Sequence, residues 1–169
     1  MPTLHVCPLS RLHDTVVATR ASHVVSLMGP GAEVQRPAAI AAERHLFIGV
    51  SDIAEPREGY VLPAAEHIET LLGFVRAWGR ESPLVLHCWA GISRSTASAF
   101  TAMCLYNPDV DELKLAQQLR SLSHVATPNR RIVAFADDIM GRRGRMVDAV
   151  DAIGRGEDAF EGVIFQWKM

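Results

Sequence analysis

The fold turns on His87-Cys88-Trp89-Ala90-Gly91-Ile92-Ser93-Arg94-Ser95. This stretch leaves the apolar run Leu84-Val85-Leu86, passes a single glycine and enters a segment, Ser93 to Tyr106, whose apolar residues repeat at helical spacing. A strand, a short loop and a helix in that order make a cradle for an anion. The N–H groups of the loop and first helical turn converge, the helix dipole adds partial positive charge, and Gly91 allows a tight backbone path. The same field favours a thiolate at Cys88, and Ser95 is placed to donate its hydroxyl to that sulfur. Arg94, six residues beyond the cysteine, brings a planar fork that can meet two oxygens of a phosphoryl group.

Outward from this loop, the runs Leu4–Cys7, His23–Leu27, His45–Val50 and Leu84–His87 are continuously apolar and rich in β-branched residues, as expected of strands buried on both faces of a parallel sheet. Between the first two, Ser10 is expected to cap a helix carrying Leu12, Val16 and Val17, completing a βαβ unit. Pro63 to Gly79 is the clearest helix, with Ile68, Leu71, Leu72, Val75 and Trp78 on one face and Gly79 as its stop. Further helices are expected at Ser93–Tyr106, at Pro108–Leu122 behind Asn107, at Pro128–Met140 behind Thr127, and at Arg145–Ile153 before Gly154. Gly29-Pro30-Gly31 and Ala54–Leu62 read as loops, and Gly154–Met169 carries no pattern and reads as a tail. The expected class is α/β: a single domain with its core in about residues 1–153, a short, mostly parallel sheet flanked by helices, and the loop joining its last strand to a helix.

The 169 residues, 49% of them hydrophobic, suffice for one sizeable core. A formal charge of −2 provides no bulk attraction toward nucleic acid or anionic lipid. Cys7, Cys88 and Cys104 match neither a disulfide framework nor a zinc module, and His5, His13, His23, His45, His67 and His124 show no metal-ligand spacing. Cys7 and Cys104 read as inert core residues. Arg142, Arg143 and Arg145 follow a helix end beside Asp137, Asp138 and Asp148, and read as complements of the helix dipole. No signal-peptide pattern and no apolar run near the roughly 20 residues of a membrane helix is present. The expectation is a cytoplasmic protein without metal, cofactor, nucleic acid or membrane partner; oligomeric state stays open.

His-Cys-x-x-Gly-x-x-Arg-Ser resembles the signature loop of the cysteine-dependent protein tyrosine phosphatases, and Ala90-Gly91-Ile92-Ser93-Arg94-Ser95 is similar to the dual-specificity branch. Ala126-Thr127-Pro128-Asn129-Arg130-Arg131 with Ala136-Asp137-Asp138 is similar to a bacterial group of that superfamily, and the resemblance spans about residues 45–138. It implies a phosphocysteine on Cys88, hydrolysed by water, with Arg94 and the loop from Trp89 to Ser93 holding the phosphoryl group. It also implies an upstream aspartic acid that protonates the leaving group. Asp52 fits, at the carboxyl end of a strand, with Glu55 and Glu58 as competitors on the same loop. His87 is expected to orient the thiolate's surroundings. Asn129 either reaches the site or starts a helix, and Trp89 either walls the pocket or packs beneath the loop. The implied substrate is a phosphorylated protein or peptide, foremost at tyrosine and also at serine or threonine; a loop without lysine disfavours inositol phosphates. Two other readings are a phosphoprotein-binding module with a silent loop and a rhodanese-like sulfurtransferase or arsenate reductase.

Overall fold

A computed structural model describes residues 1–169. The four apolar runs form β1 (Thr3–Pro8), β2 (His23–Met28), β3 (His45–Gly49) and β4 (Leu84–Cys88), parallel and in the order β3-β2-β4-β1. Both faces are covered, which is why the runs need no polar alternation. On one face lies α1 (Leu12–Thr19), whose Leu12 and Val16 pack with Cys7, Val24 and Val85. On the other lie α2 (Ala65–Ala77), α3 (Arg94–Tyr106), α4 (Glu112–Leu122), α5 (Arg130–Met140) and α6 (Arg145–Ile153) around the larger core. Side chains alternate along β4, so Leu84, Leu86 and Cys88 point to the larger core while Val85 and His87 point to the α1 face. This alternation puts the cysteine and its histidine neighbour on opposite sides of the sheet.

Several local expectations are corrected. Ser10 does not cap α1: Leu9–Arg11 form a single 3₁₀ turn, and the Ser10 hydroxyl instead donates to Glu161 at 2.8 Å. Val17 is 73% exposed, because an eight-residue helix presents only the stripe Leu12, Thr15 and Val16 to the sheet. Gly79 does not stop α2; the chain turns extended at Trp78, whose indole N–H is held by the Ser82 carbonyl. α4 starts after Asp111 rather than Asn107, since Asn107–Val110 closes a turn and the Asp111 carboxylate accepts from the Leu113 and Lys114 amides. α5 likewise starts after Asn129, whose side-chain oxygen accepts from Arg131 and Ile132, and not after Thr127.

The cluster after α5 is more than a dipole complement. Arg142 is buried against Glu112 at 2.9 Å and the Cys104 carbonyl at 2.6 Å, while Asp137 accepts from the Gly144 and Met146 amides, binding α4 to the α5–α6 turn. Residues 154–169 are not a tail. They cross the molecule and end as β5 (Phe165–Lys168), antiparallel to β1, with Phe165 and Trp167 buried and Gln166 and Lys168 exposed. Four residues of plain alternation, after eleven without pattern, are too short a signal to read.

Candidate active site

Cys88 ends β4 with its side chain 2% exposed. Its sulfur receives the Gly91 N–H at 3.3 Å and lies 3.1 Å from the Ser95 hydroxyl, two donors suited to stabilising a thiolate. Gly91 has φ +70°, and a Cβ there would stand 2.8 Å from the Cys7 carbonyl carbon and the Pro8 nitrogen, so the turn admits only glycine.

What shapes the loop is the set of donors that pull its carbonyls outward. The His87 ring takes the Cys88 carbonyl (3.3 Å), the Leu9 amide takes that of Trp89 (3.1 Å), and the Gly162 amide takes that of Ala90 (2.7 Å). The Thr127 and Asn129 amides take those of Ile92 (2.9 Å) and Ser93 (3.1 Å). In a planar trans peptide the N–H points opposite to the C=O, so each outward carbonyl aims the following amide inward. The amides of Trp89, Ala90, Ile92 and Ser93 donate to nothing in the protein. Those of Trp89, Ala90 and Ser93 follow held carbonyls and form a concave array of free donors, an anion nest at the start of α3.

Arg94, 8% exposed, is fixed by Nη1 donating to the Val50 carbonyl at 2.9 Å, and its buried Nε has no partner. A buried guanidinium nitrogen left unpaired is costly unless a ligand supplies the acceptor. Asp52, exposed just beyond β3, leans on the same loop: its Oδ1 accepts from Ser93 Oγ at 2.6 Å and Asn129 Nδ2 at 3.0 Å. Glu55 and Glu58 are exposed and make no hydrogen bond to the loop. Asn129 therefore does both things weighed for it, capping α5 with its oxygen and holding Asp52 with its nitrogen. A polar crevice of about 220 Å³ continues from Asp52, Ile92 and Ser93 to Thr127 and Arg155.

Trp89 is 59% exposed and does not pack beneath the loop, where Cys7 and Pro8 already fill the space against Gly91. Cys7 and Cys104 are buried and their thiols are pushed up to about 12 by burial, as expected of core cysteines. No group of His, Cys, Asp or Glu is arranged to hold a metal ion, and no helix is long and apolar enough to cross a membrane. Sequence reading missed the outer anchors Leu9 and Gly162, which act through their backbones, and also Ser26 and His45, which lie behind His87. The other anchors, His87, Thr127 and Asn129, lie in stretches already singled out.

No family model matches the chain, and no curated protein does either. Solved structures do. DUSP15 is similar over 94% of this chain and 96% of its own, with TM-score 0.67 and 17% identity. The PTP-2 phosphatase of Cydia pomonella is similar over 80% of this chain and 84% of its own, with TM-score 0.63 and 21% identity. The human tyrosine phosphatase-like serine/threonine/tyrosine-interacting protein covers 83% and 92%, with TM-score 0.60 and 16% identity. Each match covers four-fifths or more of this chain rather than one loop, so the chain has the fold of the dual-specificity and tyrosine phosphatases.

Proposed function

We propose that this protein is a phosphomonoester hydrolase of the protein tyrosine and dual-specificity phosphatase type, acting through a phosphocysteine on Cys88. The observation that carries the reading is the buried, unpartnered Nε of Arg94 beside a ring of free amides, with a sulfur at its floor. A tetrahedral oxyanion satisfies all of them together. The Cys88 thiolate attacks phosphorus as the P–O bond to the leaving group breaks, and the proton on Asp52 passes to the departing oxygen. Ser93 and Asn129 both donate to Oδ1, so that proton rides on Oδ2. Water, deprotonated by Asp52, then attacks phosphorus, the S–P bond breaks, and Ser95 donates to the regenerated thiolate.

The substrate class is a phosphorylated protein or peptide, with the phosphoryl group in the nest and the side chain emerging past Trp89. The loop supplies one cationic side chain, Arg94, which suits a single phosphate better than a highly charged inositol head group. The test is turnover of phosphotyrosine, phosphoserine and phosphoinositide substrates by purified protein, with capture of labelled phosphate on Cys88 after acid quench. Binding without turnover in the wild type favours the phosphoprotein-binding reading, and sulfur transfer from thiosulfate to cyanide favours the sulfurtransferase.

A further inference from the structure

We propose that Ser26 and His45 are positioning residues for the anion nest: through His87 they hold the Cys88–Trp89 peptide so that the Trp89 N–H faces the bound oxyanion. The inference rests on the phosphatase reading only for the identity of that oxyanion. Its basis is a chain of hydrogen bonds crossing three adjacent strands on the α1 face. His45 Nε2 on β3 lies 2.8 Å from Ser26 Oγ on β2, and Ser26 Oγ lies 2.6 Å from His87 Nε2 on β4. His87 Nδ1 in turn lies 3.3 Å from the Cys88 carbonyl. Strand register makes this possible, because Ser26 stands opposite His87 while His45 stands opposite Val24, two residues from Ser26, which keeps all three side chains on the same face.

The polarity of the chain follows from its last member. A carbonyl oxygen only accepts, so His87 Nδ1 carries the hydrogen. Burial lowers the His87 pKa to about 4, outweighing the hydrogen bond to Cys88, so the ring is neutral near pH 7 and its Nε2 is an acceptor. Ser26 therefore donates to His87, and having one hydrogen it must accept from His45, whose Nε2 carries a hydrogen in turn. Ser26 is fully buried, and with this arrangement its hydroxyl is used as both donor and acceptor. Were the ring to flip to the other tautomer, Nε2–H would point at Ser26 and Nδ1 would offer a lone pair to a carbonyl. The Cys88 carbonyl would lose its outward donor, and the amide of Trp89 its fixed inward direction. The other loop carbonyls are held by backbone amides, which have no tautomers. This one depends on a side chain, and the side chain needs a partner that enforces its tautomer.

The experiment reads the imidazole tautomers of the full-length protein by long-range nitrogen–proton NMR, alongside affinity for inorganic tungstate and aryl phosphate turnover. Expected are the Nδ1–H form at His87 and the Nε2–H form at His45. Ser26→Ala should mix the His87 tautomers and weaken tungstate binding about fivefold, the scale of one hydrogen bond. His45→Leu should weaken it by a smaller factor, and His45→Gln, which keeps an N–H donor on a half-buried edge position, should restore it. An Nε2–H form at His87 in the wild type overturns the proposal, and so does folded Ser26→Ala with wild-type tungstate affinity. Should Ser26→Ala fail to fold, the wild-type tautomers and the His45 pair still decide. Absence of aryl phosphate turnover with the expected tautomers and tungstate binding would instead remove the phosphatase reading and leave the positioning role standing.

Discussion

Two loops meet at the candidate site, and they are built in opposite ways. The loop from Cys88 to Arg94 is locked at five carbonyls by five donor residues from four parts of the chain, as far apart as Leu9 and Gly162. The loop from Ser51 to Leu62 is closed at its base by the Ser51–Val61 pair, but residues 54–60 lie exposed. It is tied to the other loop by the bond from Ser93 to Asp52, and to the start of α5 by the bonds from Asn129 to Asp52 and the Ile53 carbonyl. Donors that stabilise charge act best when they need no reorganisation, so the oxyanion side is rigid. A group that must give a proton and later take one from water gains from a looser support. In the proposed reaction the rigid loop would hold the phosphoryl group, and the looser one would move the proton.

That contrast breaks most sharply at the rigid loop's nucleophile. Cys88→Ser should abolish turnover while leaving tungstate bound, because the nest and Arg94 remain and a serine hydroxyl is not ionised where the thiolate would be. Measurable hydrolysis by this variant would falsify the phosphocysteine route. At neutral pH, iodoacetamide followed by mass spectrometry should label Cys88 ahead of Cys7 and Cys104, whose thiols burial pushes up to about 12.

Next in size is the proposed acid on the looser loop. Asp52→Asn should slow phosphotyrosine hydrolysis by about 10²–10⁴-fold, the range of general acid catalysis. The loss should shrink for nitrophenyl phosphate, whose leaving group departs with little help. If Glu55→Gln or Glu58→Gln gave the graded loss instead, the proton would come from further along the loop. Arg94→Lys should cost about 10²–10³-fold, as removal of an oxyanion donor does, and by a similar factor for good and poor leaving groups. An ammonium keeps the charge but cannot serve both the Val50 carbonyl and the oxyanion with a planar fork. Near wild-type rates in the lysine variant would mean that charge alone suffices.

The same contrast explains what the sequence made legible. The strand–loop–helix at Leu84–Tyr106 could be read because its chemistry is local: Cys88, Gly91, Arg94 and Ser95 sit within eight residues, and the apolar runs announce the parallel sheet. Asp52 could be preferred from its place at a strand's carboxyl end, with Glu55 and Glu58 as competitors, but its bonds to Ser93 and Asn129 could not be read, because those partners are distant in sequence. The anchors Leu9 and Gly162 contribute only amide groups, which any residue but proline carries, so no residue type marks them. Helix starts were missed where a proline suggested an early beginning. At Pro108 and Pro128 the side-chain acceptors of Asp111 and Asn129, one to three residues later, set the boundary. His45 and Ser26 each looked like an ordinary strand residue, and only the register of β2, β3 and β4 brings them to His87.

The smallest expected effect tests the contact between the two loops. Ser93 Oγ and Asn129 Nδ2 both donate to Asp52 Oδ1, at 2.6 and 3.0 Å. Asn129 is a poor probe, because it also caps α5, and its loss would cost about 1 kcal/mol of stability on top of any effect at Asp52. Ser93 is the cleaner one: although it precedes α3, its side chain makes no capping bond, so its hydroxyl is free to serve Asp52 alone. Ser93→Ala removes one of two donors, leaves the nest amide of residue 93 in place, and should reduce phosphotyrosine turnover by about fivefold. Since the hydroxyl acts through the acid, the reduction should fade toward unity with nitrophenyl phosphate, and tungstate affinity should hold. In the Asp52→Asn background the same change should then have little further effect on phosphotyrosine, because there is no proton left to orient. A uniform loss across leaving groups, or a full fivefold loss in both backgrounds, would show that Ser93 serves the nest itself and that the two loops do not divide the work between charge and proton.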